Sequence, residues 1–213
     1  MSAPAGPFVT FEGGEGAGKT TQLRHLAGRL QRAGRPVVTT REPGGTEGAE
    51  AIRRLLLEGS GERWSPLAEL YLFLAARTDH VERVIRPARA CGAFVLCDRF
   101  HDSTRVYQGI AGGLGLELVD RLQEPALRGA RPDLTILLDI DPAEGLRRRR
   151  SDGNASRFDA RDLDFHRRVR EGFLLLARRE PERIHVFDAT LPEAVLADEI
   201  WRLVSERFAP DRA

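Results

Sequence analysis

Lysine is almost missing from this chain of 213 residues: Lys19 is the only one, and the other basic side chains are arginines and histidines. That absence excludes a guanine-reading switch built on an Asn-Lys-x-Asp motif, because no second lysine exists to complete it. Cysteine is nearly as scarce. Cys91 and Cys97 are too few and wrongly spaced for a metal site, and at the borders of an apolar run they read as buried free thiols. The five histidines show no metal-ligand spacing. Charge of one sign is lacking too: Lys+Arg 33 against Asp+Glu 32 leaves a net charge of +1, which argues against a nucleic-acid partner. No apolar run approaches the roughly 18–20 residues that span a bilayer, so no membrane partner is expected. Met1 to Pro7 has neither a basic n-region nor an apolar h-region and reads as a flexible tail, residues 1–7, not a signal peptide. The expected setting is the reducing cytoplasm. Internal repeats and long linkers are also missing, and the length suits one domain with a full core.

What is present begins with Gly13-Gly14-Glu15-Gly16-Ala17-Gly18-Lys19-Thr20, between the apolar run Phe8–Phe11 and a helical pattern. Gly13, Gly18, Lys19 and Thr20 satisfy the phosphate-loop spacing of Gly, four residues, then Gly-Lys-Ser/Thr. Phosphate needs several converging donors. Glycines let backbone N–H groups point inward without Cβ clashes, and the following helix N-terminus adds its dipole. Lys19 then reaches the β- and γ-phosphates, and the Thr20 hydroxyl serves Mg²⁺.

Along the chain, short apolar runs alternate with helical periodicity. Strands are expected at residues 8–11, 37–40, 93–97, 134–138 and 184–187. Helices are expected at 20–33, 47–58, from Ser65-Pro66 to Arg77 or beyond, 116–127, from Pro142, 163–179 and 191–208. Pro87 should interrupt 81–90, and 109–115 should be a glycine-rich loop. Continuous apolar strands between helices predict an α/β fold, a five-stranded parallel sheet with helices on both faces, of P-loop NTPase type. Ligand should lie at the carboxyl ends of the strands, where the glycine loop, Glu42-Pro43, Asp98-Arg99 and Asp188 fall.

Four groups are candidates for chemistry. Asp98 ends an apolar run, where a phosphate-loop enzyme keeps a Mg²⁺-associated carboxylate. Arg99 beside it brings a planar fork that matches a phosphate. Phe73 and Arg77, four apart, share a helix face that suits a nucleobase: stacking on one side chain, hydrogen bonds from the other. Arg147 to Arg150, an Asp-Gly-Asn loop, then Arg157 and Arg161 suit a mobile lid over about 147–161 that brings arginine to a transferred phosphate. Four successive arginines diverge around a helix, so at least two face solvent.

Taken together these residues resemble bacterial thymidylate kinases, P-loop nucleoside monophosphate kinases. The resemblance runs from Phe8 to about Phe208 and rests on Glu12 to Thr21, on Thr40 to Thr46 (Thr-Arg-Glu-Pro-Gly-Gly-Thr), and on Phe73 with Arg77. It continues through Asp98-Arg99, Tyr107-Gln108-Gly109 and Leu138 to Pro142. It implies a single kinase domain over 8–208, a tail at 209–213, and transfer of phosphate from ATP to dTMP with Mg²⁺, for dTTP synthesis. It further implies ATP binding by Gly13, Gly14, Glu15, Gly16, Ala17, Gly18, Lys19, Thr20 and Thr21 with Arg148, and Mg²⁺ at Thr20 and Asp98. By the same resemblance Phe73 stacks on thymine, Arg77 bonds its carbonyl and Arg99 takes the acceptor phosphate. Glu15 reaches the sugar 3′-hydroxyl, Tyr107 crowds the 2′ position, and Glu42, Pro43, Ser103, Thr104 and Gln108 complete the acceptor set. Gly16 stands where other members carry an arginine, which implies catalytic arginines from the lid: Arg150 and Arg157, with Arg148 close behind, acting beside Lys19 and Arg99. A homodimer is implied as well. Phe100, Val106 and Ser156-Arg157-Phe158-Asp159 depart from the commoner pattern. The alternative on the same scaffold is a kinase for another nucleoside monophosphate or a deoxynucleoside.

Overall fold

A computed structural model describes residues 5–59, 63–151 and 157–209, without the side chains of 150 and 151. In chain order the elements are β1 (Phe8–Gly13), α1 (Lys19–Arg32), β2 (Val37–Arg41), α2 (Glu47–Leu57) and α3 (Pro66–His80). A π-helical turn (Val81–Ile85) carries α3 into α4 (Arg86–Ala90), before β3 (Phe94–Asp98). Next α5 (His101–Thr104) runs into a second π-helical stretch (Arg105–Ala111), followed by α6 (Leu116–Leu127) and β4 (Leu134–Asp139). Then come α7 (Pro142–Ser151), α8 (Leu163–Arg179), β5 (Ile184–Asp188) and α9 (Glu193–Phe208).

Among the described residues the strands form one parallel sheet in the order β2-β3-β1-β4-β5. The central β1 is buried along its whole length. Its side chains alternate between faces, as a strand dictates. Val9 and Phe11 pack with Leu23, Leu26 and Leu30 of α1 and with Leu196 and Ile200 of α9. Phe8 faces the other way, onto Val81, Ile85 and Phe100. On that second side α8 sends Phe165, Phe173 and Leu176 against Val106 and Tyr107. Both faces are covered, as apolar strand runs require.

Local chemistry sets most boundaries. Side-chain oxygens of Thr46, Ser65 and Asp162 accept from Ala49, Ala68 and Phe165 N–H groups and so cap α2, α3 and α8. Pro66 follows its cap in the first turn. The α1 start is different: Gly18 sits there at φ 85 with no side-chain cap, so its leading N–H groups are left for a ligand.

Several expectations change. β2 is half-exposed, because it is the edge strand with only β3 beside it. Pro87 falls in the first turn of α4, where its missing N–H costs nothing, and the π-helical turn before it keeps the helical path going. The glycine-rich loop shrinks, because Gly109 and Ala111 belong to the second π-helical stretch. Cys97 is buried, but Cys91 is exposed in the turn after α4. Asp188 ends β5 as expected, yet its carboxylate takes the N–H and hydroxyl of Thr190 in its own turn.

Candidate active site

The loop between β1 and α1 is shaped by close backbone approach. A Cβ on Gly13 would lie 2.3 Å from the Leu138 carbonyl oxygen. At Gly16, φ is +67 and a Cβ would lie 2.0 Å from the Gly145 carbonyl oxygen of α7. No arginine fits at position 16 while α7 packs there, which gives a steric reason for its absence. Lys19, folded back under the loop, donates to the carbonyls of Gly13 (3.2 Å) and Gly14 (2.7 Å). Burial, then the neighbouring Arg99, push its ammonium down to about 8 against the pull of Glu15, Asp98 and Glu12.

At the end of β3 the two residues expected to serve Mg²⁺ meet: the Thr20 hydroxyl donates to Asp98 Oδ2 at 2.5 Å. Arg99 follows in the left-handed region at φ 67, a conformation that costs a residue with a Cβ about 1 kcal/mol. Glu12 holds this turn from inside. Its Oε1 accepts the Phe100 N–H (2.8 Å) and the Ser103 N–H (3.2 Å), and its Oε2 accepts the Ser103 hydroxyl (2.6 Å). Glu12 is wholly buried, and that burial, with Asp102 nearby, raises its carboxyl to about 7 although Arg99 and these donors oppose the rise.

Held in this way, Arg99 donates to the Gly13 carbonyl (3.0 Å), the Ser103 hydroxyl (3.1 Å) and Glu15 Oε1 (2.9 Å), with its guanidinium carbon 5.1 Å from the Tyr107 ring centre. The Tyr107 hydroxyl donates to the same Glu15 oxygen at 2.8 Å. Burial alone would raise Glu15, but Arg99, then Lys19 and the Tyr107 hydroxyl, hold it at about 2. It is an anion at every working pH.

The far wall comes from α3 and the second π-helical stretch. Phe73 is half-buried in the cleft wall rather than in the core. Arg77 is 2% exposed: its Nε donates to Glu42 (2.8 Å) and its Nη2 to the Thr104 hydroxyl (2.9 Å). Gln108 donates to Glu69 (2.8 Å). The Glu42–Pro43 peptide bond is cis, and Arg53 of α2 donates to the Pro43 carbonyl (2.7 Å).

These parts enclose a cleft of about 890 Å³ at the carboxyl edge of the sheet, within the size range of small-molecule sites. Of the residues singled out by sequence, Glu15 to Thr21, Glu42 and Pro43 line it on the loop side, and Asp98, Arg99 and Ser103 line its floor. Phe73, Arg77, Thr104, Tyr107 and Gln108 line the far wall, and Arg148 the lid side. Gly13 and Gly14 stand behind the loop, as acceptors for Lys19. The side chain of Arg150 lies outside the described residues, and so does 152–156 of the expected lid.

Arg157 differs from expectation. Its guanidinium contacts the Glu69 carboxylate and the Leu56 carbonyl, on α3 and α2, and it does not line the cleft. Cleft residues that the sequence did not single out include Arg53, Arg149 and Phe158. Arg53 and Arg149 both line the cleft, Arg149 with Asp159 3.6 Å from its guanidinium. Phe158 completes an aromatic wall, with ring centres 6.3 Å from Phe73 and 5.9 Å from Tyr107. A signal existed for Arg53, about two helical turns from the capped start of α2. None distinguished Arg149 from its arginine neighbours.

A parallel sheet, a phosphate loop at its centre and a two-sided polar cleft at its carboxyl edge define a nucleotide kinase of the P-loop class. The thymidylate kinase family model matches residues 11–200. The chain is 56% identical over 203 residues to thymidylate kinase of Caulobacter vibrioides, covering 95% of this chain and 98% of that one. It is 50% identical over 213 residues to that of Rhodopseudomonas palustris, covering 98% and 93%. A crystal structure of thymidylate kinase from Ehrlichia chaffeensis superposes with a TM-score of 0.78 at 34% identity, covering 95% of this chain and 99% of that one. The chain belongs to the thymidylate kinase family.

Proposed function

We propose that this cleft binds ATP on the phosphate loop and dTMP against the Phe73–Arg77 wall, and transfers the γ-phosphoryl group between them to give ADP and dTDP. Family membership makes the chain a dTMP kinase; the assignment of parts is ours. What carries it is the single Glu15 oxygen shared by Arg99 and Tyr107, because it ties the phosphate loop to the opposite wall.

In phosphoryl transfer the protein mainly positions reactants and stabilises charge. Lys19 and the uncapped N–H groups of α1 hold the donor phosphates. The oxygens of Thr20 and Asp98 suit a hard cation and would hold Mg²⁺. When bound, the ion would neutralise charge on the donor phosphates. Arg99, with Arg53 nearby, anchors the acceptor phosphate. Phe73 offers its face to the base and Arg77 its donors. Arg148 and Arg149, on the lid side of the cleft, deliver charge to the phosphoryl group in flight, joined by Arg150. Proton abstraction from a phosphate acceptor needs no strong base, and none is assigned.

The exposed apolar side chains Leu55 on α2 and Leu67 and Tyr71 on α3 support a homodimer through these helices. Charge balance supports the lack of a nucleic-acid partner. No helix among the described residues is long and apolar enough to cross a membrane. The free thiols and a metabolite substrate support a cytoplasmic setting.

The test is phosphorylation of dTMP, dUMP, dCMP, dGMP and AMP at equal concentration with ATP and Mg²⁺. Clear preference for dTMP is expected. Equal rates with another monophosphate would overturn the assignment of the acceptor site.

A further inference from the structure

A row of hydrogen bonds leads from the sheet edge to the far wall through a residue that takes no part in the chemistry described above. Thr40 Oγ1 lies 2.7 Å from His80 Nε2, His80 Nδ1 lies 2.9 Å from Glu42 Oε1, and Arg77 Nε donates to Glu42 Oε2 at 2.8 Å. His80 is wholly buried at the end of α3, one turn beyond Arg77. Burial opposes ionisation of Glu42, but Arg77 and then His80 hold its carboxyl below its ordinary value, so it only accepts hydrogen bonds. Nδ1 therefore carries the proton, and in the neutral ring Nε2 accepts from the Thr40 hydroxyl. The ring is also boxed in sterically, because a Cβ on Gly45 would lie 2.5 Å from His80 Cδ2.

The consequence falls on Arg77. A long arginine side chain places its Nη groups according to where its Nε is held. Here one oxygen of Glu42 takes Nε while His80 holds the other, so the carboxylate plane is fixed at both ends and Nε is held in one place. Its Nη2 donates to the Thr104 hydroxyl at 2.9 Å and its Nη1 to Gln123 Oε1 at a longer 3.4 Å, and the guanidinium so held lines the cleft. Arginine has donors and no acceptor. A base edge carrying a carbonyl satisfies it; one carrying an amino group sets donor against donor in a buried wall and leaves both unpaired. Such mismatches support discrimination well beyond what apolar contact gives.

We propose that His80 is a positioning residue for base selection: by occupying one oxygen of Glu42 it fixes Arg77 so that the wall accepts a carbonyl-bearing pyrimidine and rejects an amino-bearing one. This rests on Arg77 facing the base of dTMP.

The experiment compares kcat/KM for dTMP with that for dCMP in the full-length wild type, His80→Phe, His80→Asn and Arg77→Ala, with the KM for ATP measured alongside. His80→Phe keeps the ring volume and removes both hydrogen bonds. It should lower the dTMP-to-dCMP ratio about tenfold, the worth of one charge-assisted hydrogen bond, while the KM for ATP stays within about twofold. His80→Asn keeps a donor near the Nδ1 position and should restore most of the ratio. An unchanged ratio in His80→Phe overturns the proposal, as does an equal loss with both acceptors accompanied by a parallel rise in the KM for ATP. Arg77→Ala tests the underlying reading by itself. If it lowers the ratio and His80→Phe does not, only the His80 role falls; if it leaves the ratio unchanged, base reading by Arg77 falls too. Should His80→Phe fail to fold, Thr40→Val removes the hydroxyl that orients the ring, and an unchanged ratio there overturns the proposal equally.

Discussion

One oxygen of Glu15 accepts hydrogen bonds from Arg99 Nη2 at 2.9 Å and from the Tyr107 hydroxyl at 2.8 Å. A residue inside the phosphate loop thus orients two side chains that line the cleft. Glu15→Gln keeps the shape but removes the charge that holds Arg99. The KM for dTMP should rise about tenfold, in line with loss of a charged hydrogen bond, while the KM for ATP changes less. Steady-state kinetics in each substrate check this; a larger effect on ATP would assign Glu15 to the donor.

The lid arginines divide by where they point. Arg148 lines the cleft while pairing with Glu144 (2.9 Å) and the Ala189 carbonyl (3.1 Å), and Arg149 lines it too. Arg148→Ala and Arg149→Ala should each lower kcat about 100-fold with little change in the KM for dTMP, as expected for charge used in the transition state. Arg157→Ala, whose guanidinium sits on Glu69, should lower kcat less. Single-turnover rates separate the three; a greater loss of the chemical step in Arg157→Ala would return that role to it.

Gly16 has no room for a side chain. Its φ of +67 and the Gly145 carbonyl 2.0 Å from any Cβ make Gly16→Ala strained as well as clashing. Loss of about 2–3 kcal/mol of stability is expected from such a backbone conflict, together with a raised KM for ATP. Urea denaturation and ATP titration check both. Wild-type stability in Gly16→Ala would show that α7 moves aside freely.

Glu12 makes stability depend on pH. Its folded carboxyl is raised to about 7 from an ordinary 4.5, so the folded state holds a proton that the unfolded state has released across that interval. Its contribution is therefore fully present below about pH 4.5 and lost as pH rises through about 7. Compared with Glu12→Gln, the wild type should lose relative stability between pH 5 and pH 8. Denaturation curves of both proteins at the two pH values test this, and a constant difference would contradict it.

The sheet was legible because each buried strand is a continuous apolar run, and the phosphate loop because glycine and lysine spacing encodes it locally. Phe73 with Arg77 and Asp98 with Arg99 were legible for the same reason, one pair a helical turn apart on α3 and the other adjacent in the chain at the end of β3. What escaped depends on contacts between elements. The edge position of β2 follows from strand order, which no local pattern carries. The role of Glu12 required the turn after β3 to fold against the end of β1. Arg149 differs from Arg147 only in which neighbour the helix face meets: Arg147 pairs with Glu144 on an exposed surface, while Arg149 lines the cleft.

The amino-acid sequence by itself determined the strand–loop–helix phosphate cradle, the parallel α/β architecture and the family. These rest on short-range spacing and on the free energy of burying apolar runs. Only the tertiary structure decided that Glu15 joins the two halves of the site, that Arg157 turns to Glu69, and that His80 stands behind Glu42. Each of those is a meeting of charged or polar groups from distant segments. Buried polar groups take the partners that folding brings within hydrogen-bond distance, and that distance is a property of the packed sheet and helices.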